Sequence, residues 1–127
     1  MNYDNLNNKL RQLNIEDNIW IIYIGIIILS WYANSLEKKY FIYNDFVSKN
    51  KYRKVMIFIF TILLLVYFYF LKSSYDDYKN ISSSDSCKKQ NLVFLSFIAS
   101  FFIFISGIIF LYIAYMDNEI EVELAFN

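Results

Sequence analysis

Three stretches of this chain carry no Asp, Glu, Lys or Arg: residues 19–33, 55–71 and 92–116. A soluble three-helix bundle buries about three positions in seven and charges the opposite faces. Here the apolar surface runs all the way round, the pattern of helices that sit in lipid. The middle stretch holds thirteen Ile, Leu, Val or Phe. At roughly −0.3 to −0.6 kcal/mol each, these contribute on the order of −4 to −8 kcal/mol to insertion. The first stretch has eight and is shorter than the roughly 20 residues that cross a bilayer, so Trp31 and Tyr32 extend it into the interface. Trp20, Tyr52, Tyr67, Tyr69, Tyr112 and Tyr115 also lie near span ends, where an aromatic belt belongs.

The predicted fold is all-α: an integral membrane protein with three antiparallel transmembrane helices. No Pro forces a kink, and a closed barrel needs at least eight alternating strands. Asp17 is the expected N-cap of the first helix, and Ser83, Ser84 or Asp85 that of the third. One turn is expected at Tyr43-Asn44-Asp45 and the next within residues 80–85, where small polar residues cluster. The connections are read as loops at 34–54 and 72–91, with an acidic tail at 117–127. Ahead of the first span, Tyr3, Leu6, Leu10 and Leu13 form a stripe that suits a short amphipathic helix on the membrane or on the bundle; a frayed tail competes with it. Residues 1–35 are read as a retained span and not a cleaved signal: Glu16 and Asp17 abut the apolar run, and Trp31-Tyr32 sits where small residues are expected.

Composition narrows the chemistry. The 127 residues make one unit, and 57% are apolar against the roughly 45–50% of a soluble domain. Twelve basic and twelve acidic residues leave no net field to attract nucleic acid. Asn, Ile, Lys, Tyr and Phe, all with AT-rich codons, supply more than half of the chain, which discounts the aromatic excess as a binding signal. With no His and one Cys, no ordinary Ser-His or Cys-His pair and no Cys/His zinc cage can be assembled. The carboxylates Asp76-Asp77 and those of residues 119–123 are the remaining acid/base candidates. Nothing gathers a nucleophile, a base and an oxyanion site around them, so no catalytic residue, metal ligand or cofactor is assigned.

Three spans put residues 34–54 and the tail on one side, the N-terminal segment and residues 72–91 on the other. Each side carries six Lys and Arg, so the positive-inside count ties. The run from Lys49 to Lys54 abuts the second span, and Lys38-Lys39 follows a first span with an acidic opposite flank. That favours a cytoplasmic first loop, hence N-out and C-in; Lys88-Lys89 ahead of the third span disagrees. In either orientation a basic segment holding Lys49, Lys51, Arg53 and Lys54 shares its face with an acidic tail holding Glu119, Glu121 and Glu123. The two segments are expected to pair with each other, or the basic one to meet anionic lipid headgroups. Glu119, Glu121 and Glu123 alternate with apolar residues, which reads as an extended strand or as a solvated tail.

Ser96, Ser100, Gly107 and Ala114 form a small-residue stripe on the third span, of the kind that lets helix backbones approach closely. It serves packing within the chain, self-association into a homo-oligomer, or docking on a larger membrane partner. Ser and Thr within the spans are expected to bond the preceding helical turn. No ionisable residue lies inside a span, which argues against a proton-coupled pump or voltage sensor. Cys87 is read as a bystander thiol, with reactivity or palmitoylation as alternatives. Asn80-Ile81-Ser82 matches a glycosylation sequon that matters only in a eukaryotic secretory pathway.

With Lys51-Tyr52-Arg53-Lys54 leading into the second span and a closing segment of Glu121-Val122-Glu123-Leu124-Ala125-Phe126-Asn127, the chain resembles small three-span membrane proteins of low-GC Gram-positive bacteria. That resemblance implies a bacterial plasma membrane and attaches no activity. The general plan also resembles three-span phage holins, which typically end in a basic tail where this chain is acidic. The expected function is a non-enzymatic accessory, regulatory or immunity-type subunit working by helix–helix contact in the lipid bilayer. A holin-like membrane-permeabilising homo-oligomer is the alternative.

Overall fold

A computed structural model describes residues 3–122. They form three helices in an antiparallel row: α1 (Tyr3–Tyr43), α2 (Phe46–Lys79) and α3 (Cys87–Met116). All three are long and apolar enough to cross a membrane. The 41 residues of α1 span about 60 Å at ~1.5 Å each, twice the hydrocarbon thickness of a bilayer, so it extends beyond the apolar layer.

The sequence read the first connection as 21 residues of loop, and the structure shrinks it to two. Asn44 takes the left-handed conformation (φ 56°) and its N–H bonds the Tyr40 carbonyl at 2.8 Å, closing α1. Asn tolerates that conformation better than most residues do. Asp45 then caps α2, accepting from the Val47 N–H at 3.1 Å and the Ser48 hydroxyl at 2.9 Å. Lys49, Lys51, Arg53 and Lys54 therefore ride on the first turns of α2. The Ser48 hydroxyl, ahead of the backbone bonds, holds the Asp45 carboxyl below its usual range.

Three further boundaries differ, the first being the end of α2, which runs on to Lys79 and leaves residues 80–86 as the connection expected over 72–91. The N-terminal stripe is helical but not separate: α1 runs on past Asp17, which is an exposed interior residue and no cap. Gln12 explains the continuity, since its amide donates to Ser73 of α2 at 3.1 Å and docks this part of α1 against a neighbour. Tyr3, Leu6, Leu10 and Leu13 are all exposed. The cap of α3 is Ser86, one residue beyond the expected set, accepting from the Lys89 N–H at 3.2 Å. Asp85 instead accepts from the Ser82 N–H at 3.0 Å and pairs with Lys89 at 3.2 Å, and the former bond leads in lowering its pKa.

α2 is the shared partner. α1 and α3 each lie along it, and among the described residues no Cα of one comes within 8 Å of the other. The largest fully buried side chains among the described residues, Met56, Ile59, Phe60 and Leu63, all belong to α2 and are at 1% exposure or less. On α1, Gln12, Glu16, Ile19, Tyr23, Ile26, Ser30, Ala33, Glu37 and Tyr40 are buried or half-buried. They repeat at spacings of four and three, the seam of a left-handed coiled coil. This seam is apolar at its centre and polar at both ends, so the layered polarity of the bilayer is written along it.

Candidate functional site: the charged end of the bundle

The α2–α3 seam sets the approach of the two helices. Val93, Phe97, Ser100, Phe104, Gly107, Leu111 and Ala114 of α3 are buried or half-buried at alternating spacings of four and three. Small residues therefore alternate with large ones. A Cβ built on Gly107 falls 2.9 Å from Tyr67 Cδ2 and 3.3 Å from Leu64 Cδ1, so the glycine admits these α2 side chains. Ala114 joins the buried core, and the Ser100 hydroxyl bonds that of Ser74 at 2.9 Å. Ser96 is exposed and takes no part in this seam. Its expected place goes to Phe97, whose ring lies 5.6 Å from Tyr78 and 5.7 Å from Tyr75, an aromatic contact a serine does not offer. Within the spans, Thr61 bonds the Ile57 carbonyl at 2.7 Å, the expected turn-back.

This seam delivers the C-terminal end of α3 to the start of α2, where charged residues gather. Lys49 Nζ meets Glu119 Oε2 at 2.8 Å, so the basic segment and the acidic tail do pair through these two residues. The Lys49 side chain is largely covered and Glu119 mostly open. The ammonium also lies 5.4 Å from the centroid of the Tyr40 ring and 5.7 Å from that of Phe46, so it ties α1, α2 and the tail together. The bond to Glu119 leads in raising the Lys49 pKa.

Arg53 is the second tie, donating from Nη2 to the Tyr115 carbonyl at 3.0 Å. Beyond it, Asp117 gathers the tail, accepting from the Glu121 N–H at 3.0 Å and the Val122 N–H at 2.8 Å. Burial alone would raise the Asp117 pKa, but backbone hydrogen bonds and the Arg53 charge outweigh it and hold the carboxyl low. The turn lets Ile120 enter the core at 9% exposure although its φ is +55°, a strained setting for a β-branched residue. Residues 117–122 thus form an anchored turn, neither the extended strand nor the solvated tail that the alternation allowed. Glu121 is exposed, and Glu123 lies outside the described residues.

Lys51 and Lys54 are exposed and make no ion pair among the described residues. A cavity of about 430 Å³ opens beside Lys54, bounded by Arg53, Asn50, Asn118 and Tyr115. A second cavity, about 460 Å³ and apolar, lies between α1 and α2 beside Trp20, Ile27 and Tyr67. The sequence made the Lys49–Glu119 pairing legible as opposite charge on one face. It gave no sign that Arg53 would close on a backbone carbonyl, or that Ile120 would fold into the core.

No family model matches the chain, and neither a curated protein nor a solved structure is significantly similar to it.

Proposed function

We propose that the chain is a small polytopic protein of a bacterial plasma membrane, N-out and C-in. It acts by helix–helix contact as a non-enzymatic accessory, regulatory or immunity-type subunit. The observation that carries this reading is the division of labour among the helices. α2 supplies the largest share of the buried core and shares a seam with each neighbour, whereas α1 and α3 each spend one seam on α2 and keep large apolar side chains exposed, among them Ile24, Ile28, Trp31, Phe102, Ile109 and Tyr112. Those faces are available to lipid or to the helices of a larger membrane partner. The resemblance to small membrane proteins of low-GC Gram-positive bacteria supports the choice of membrane, and the basic first turns of α2 support a cytoplasmic C-terminal side.

Timed expression in a bacterial host with continuous recording of membrane potential tests the reading. A contact-mediated subunit leaves the potential steady at expression levels where chemical cross-linking already detects its complexes. An abrupt collapse of the potential replaces this reading with a holin-like homo-oligomer.

A further inference from the structure

The cavity beside Lys54 has a chemistry of its own. Arg53 and Lys54 immediately precede the charge-free stretch 55–71, and Tyr115 and Met116 close the stretch 92–116. The cavity therefore sits where the apolar layer of a bilayer gives way to its headgroups. Its floor is split in the same sense: Ile57 and Met116 supply an apolar edge, while Asn50, Arg53, Lys54 and Asn118 supply donors. About 430 Å³ falls within the size range of small-molecule clefts.

Neither Arg53 nor Lys54 forms an ion pair among the described residues, although the Arg53 charge acts on Asp117 at longer range. Glu119 is engaged by Lys49, and both Asp117 oxygens accept backbone N–H groups of the tail. Arg53 donates from Nη2 to the Tyr115 carbonyl. Lys54 makes no ion pair among the described residues. A guanidinium and an ammonium on one cavity, with two side-chain amides, form a donor set that matches phosphate oxygens.

We propose that this cavity binds phosphate, presented as the headgroup of an anionic phospholipid whose acyl chains run along Ile57 and Met116. The site is more than a general attraction of lysines to a charged membrane. It is located between α2 and the end of α3, and it draws on Arg53 and Lys54 but not on the equally charged Lys51, which does not line it.

The test uses the full chain purified in a neutral detergent, with lipid retention read by native mass spectrometry. The probes are phosphatidylglycerol, phosphatidylcholine and inorganic phosphate. Phosphatidylglycerol is expected to be retained in preference to phosphatidylcholine. Lys54→Gln should weaken that preference roughly tenfold, the scale of one charge-assisted hydrogen bond, and clearly more than Lys51→Gln does. Both lysines are exposed, so both variants fold, and an unchanged melting temperature confirms it. Equal losses in the two variants, or no preference in the parent chain, overturn the site. Competition by inorganic phosphate at the same concentration keeps a phosphate site but overturns the lipid as its source.

Discussion

The two glycines of this chain sit on the two helices that flank α2, and they do opposite things. Gly107 of α3 lies against α2 so closely that a single added carbon meets Tyr67 and Leu64. Gly25 of α1 has open space where its Cβ would be, with nothing within 4 Å. The difference follows from position: Gly107 lies on a seam with α2 and Gly25 does not. On the α3 side, small residues alternate with Phe97, Phe104 and Leu111, and the helices close on one another through the small ones. On the α1 side, Ile19, Ile26 and Ala33 carry the centre of the seam, and Gly25 lies off it. In lipid, where burial of apolar surface brings no gain, such close packing is the main source of helix association.

The largest effect that breaks this comparison is expected from Gly107→Leu. Overpacking at this contact costs about 3 kcal/mol or more, and a variant that unfolds in detergent at the parent's denaturant concentration would show that the α3 seam is not rigid there. Ala33→Leu probes the α1 seam in the same way, since Ala33 is fully buried. A cost of about 1–3 kcal/mol is expected there, below that of Gly107→Leu, because leucine adds less volume to an alanine than to a glycine. An equal or greater loss in the Ala33 variant would remove the distinction between the seams.

A smaller effect comes from the end where the seams converge. Asp117 has a folded pKa below its unfolded value, so its contribution is present above the ordinary carboxylate pKa of about 3.9 and is lost as pH falls through the folded value. Asp117→Asn should therefore lower the melting temperature at neutral pH by the equivalent of about 1 kcal/mol, with the gap to the parent closing below about pH 4. A gap that persists in acid would mean that the side chain's shape, and not its charge, holds the tail. Gly25→Ala is the smallest change and has the opposite sign. With open space at its Cβ, the substitution should stabilise α1 by about 0.5–1 kcal/mol.

Much of this was legible in the chain. Charge-free stretches of 15, 17 and 25 residues marked the three helices, and Tyr43-Asn44-Asp45 marked the first turn because Asn and Asp suit its backbone. Opposite charge on one face anticipated Lys49 with Glu119. The length of α1 was hidden because its seam passes through Gln12, Glu16 and Glu37, polar residues that break an apolar stripe yet still face inward. The loop at 34–54 was overestimated for the same reason: lysines read as loop residues ride readily on a helix that leaves the membrane. Ser96 was assigned to the seam by its four-residue spacing from Ser100, a choice that only the position of Tyr75 and Tyr78 could correct.

The central claim is that the chain crosses the membrane three times, placing the 80–86 connection and the C-terminal turn on opposite sides. Cys87 is exposed at the start of α3 and reports the first side. Glu121 is exposed in the turn, and the double variant Cys87→Ser, Glu121→Cys reports the second. Each is treated with a membrane-impermeant maleimide in intact and in lysed cells. The three-span architecture requires that one and only one of the two thiols is labelled in intact cells while both are labelled after lysis. Labelling of both, or of neither, before lysis would contradict it.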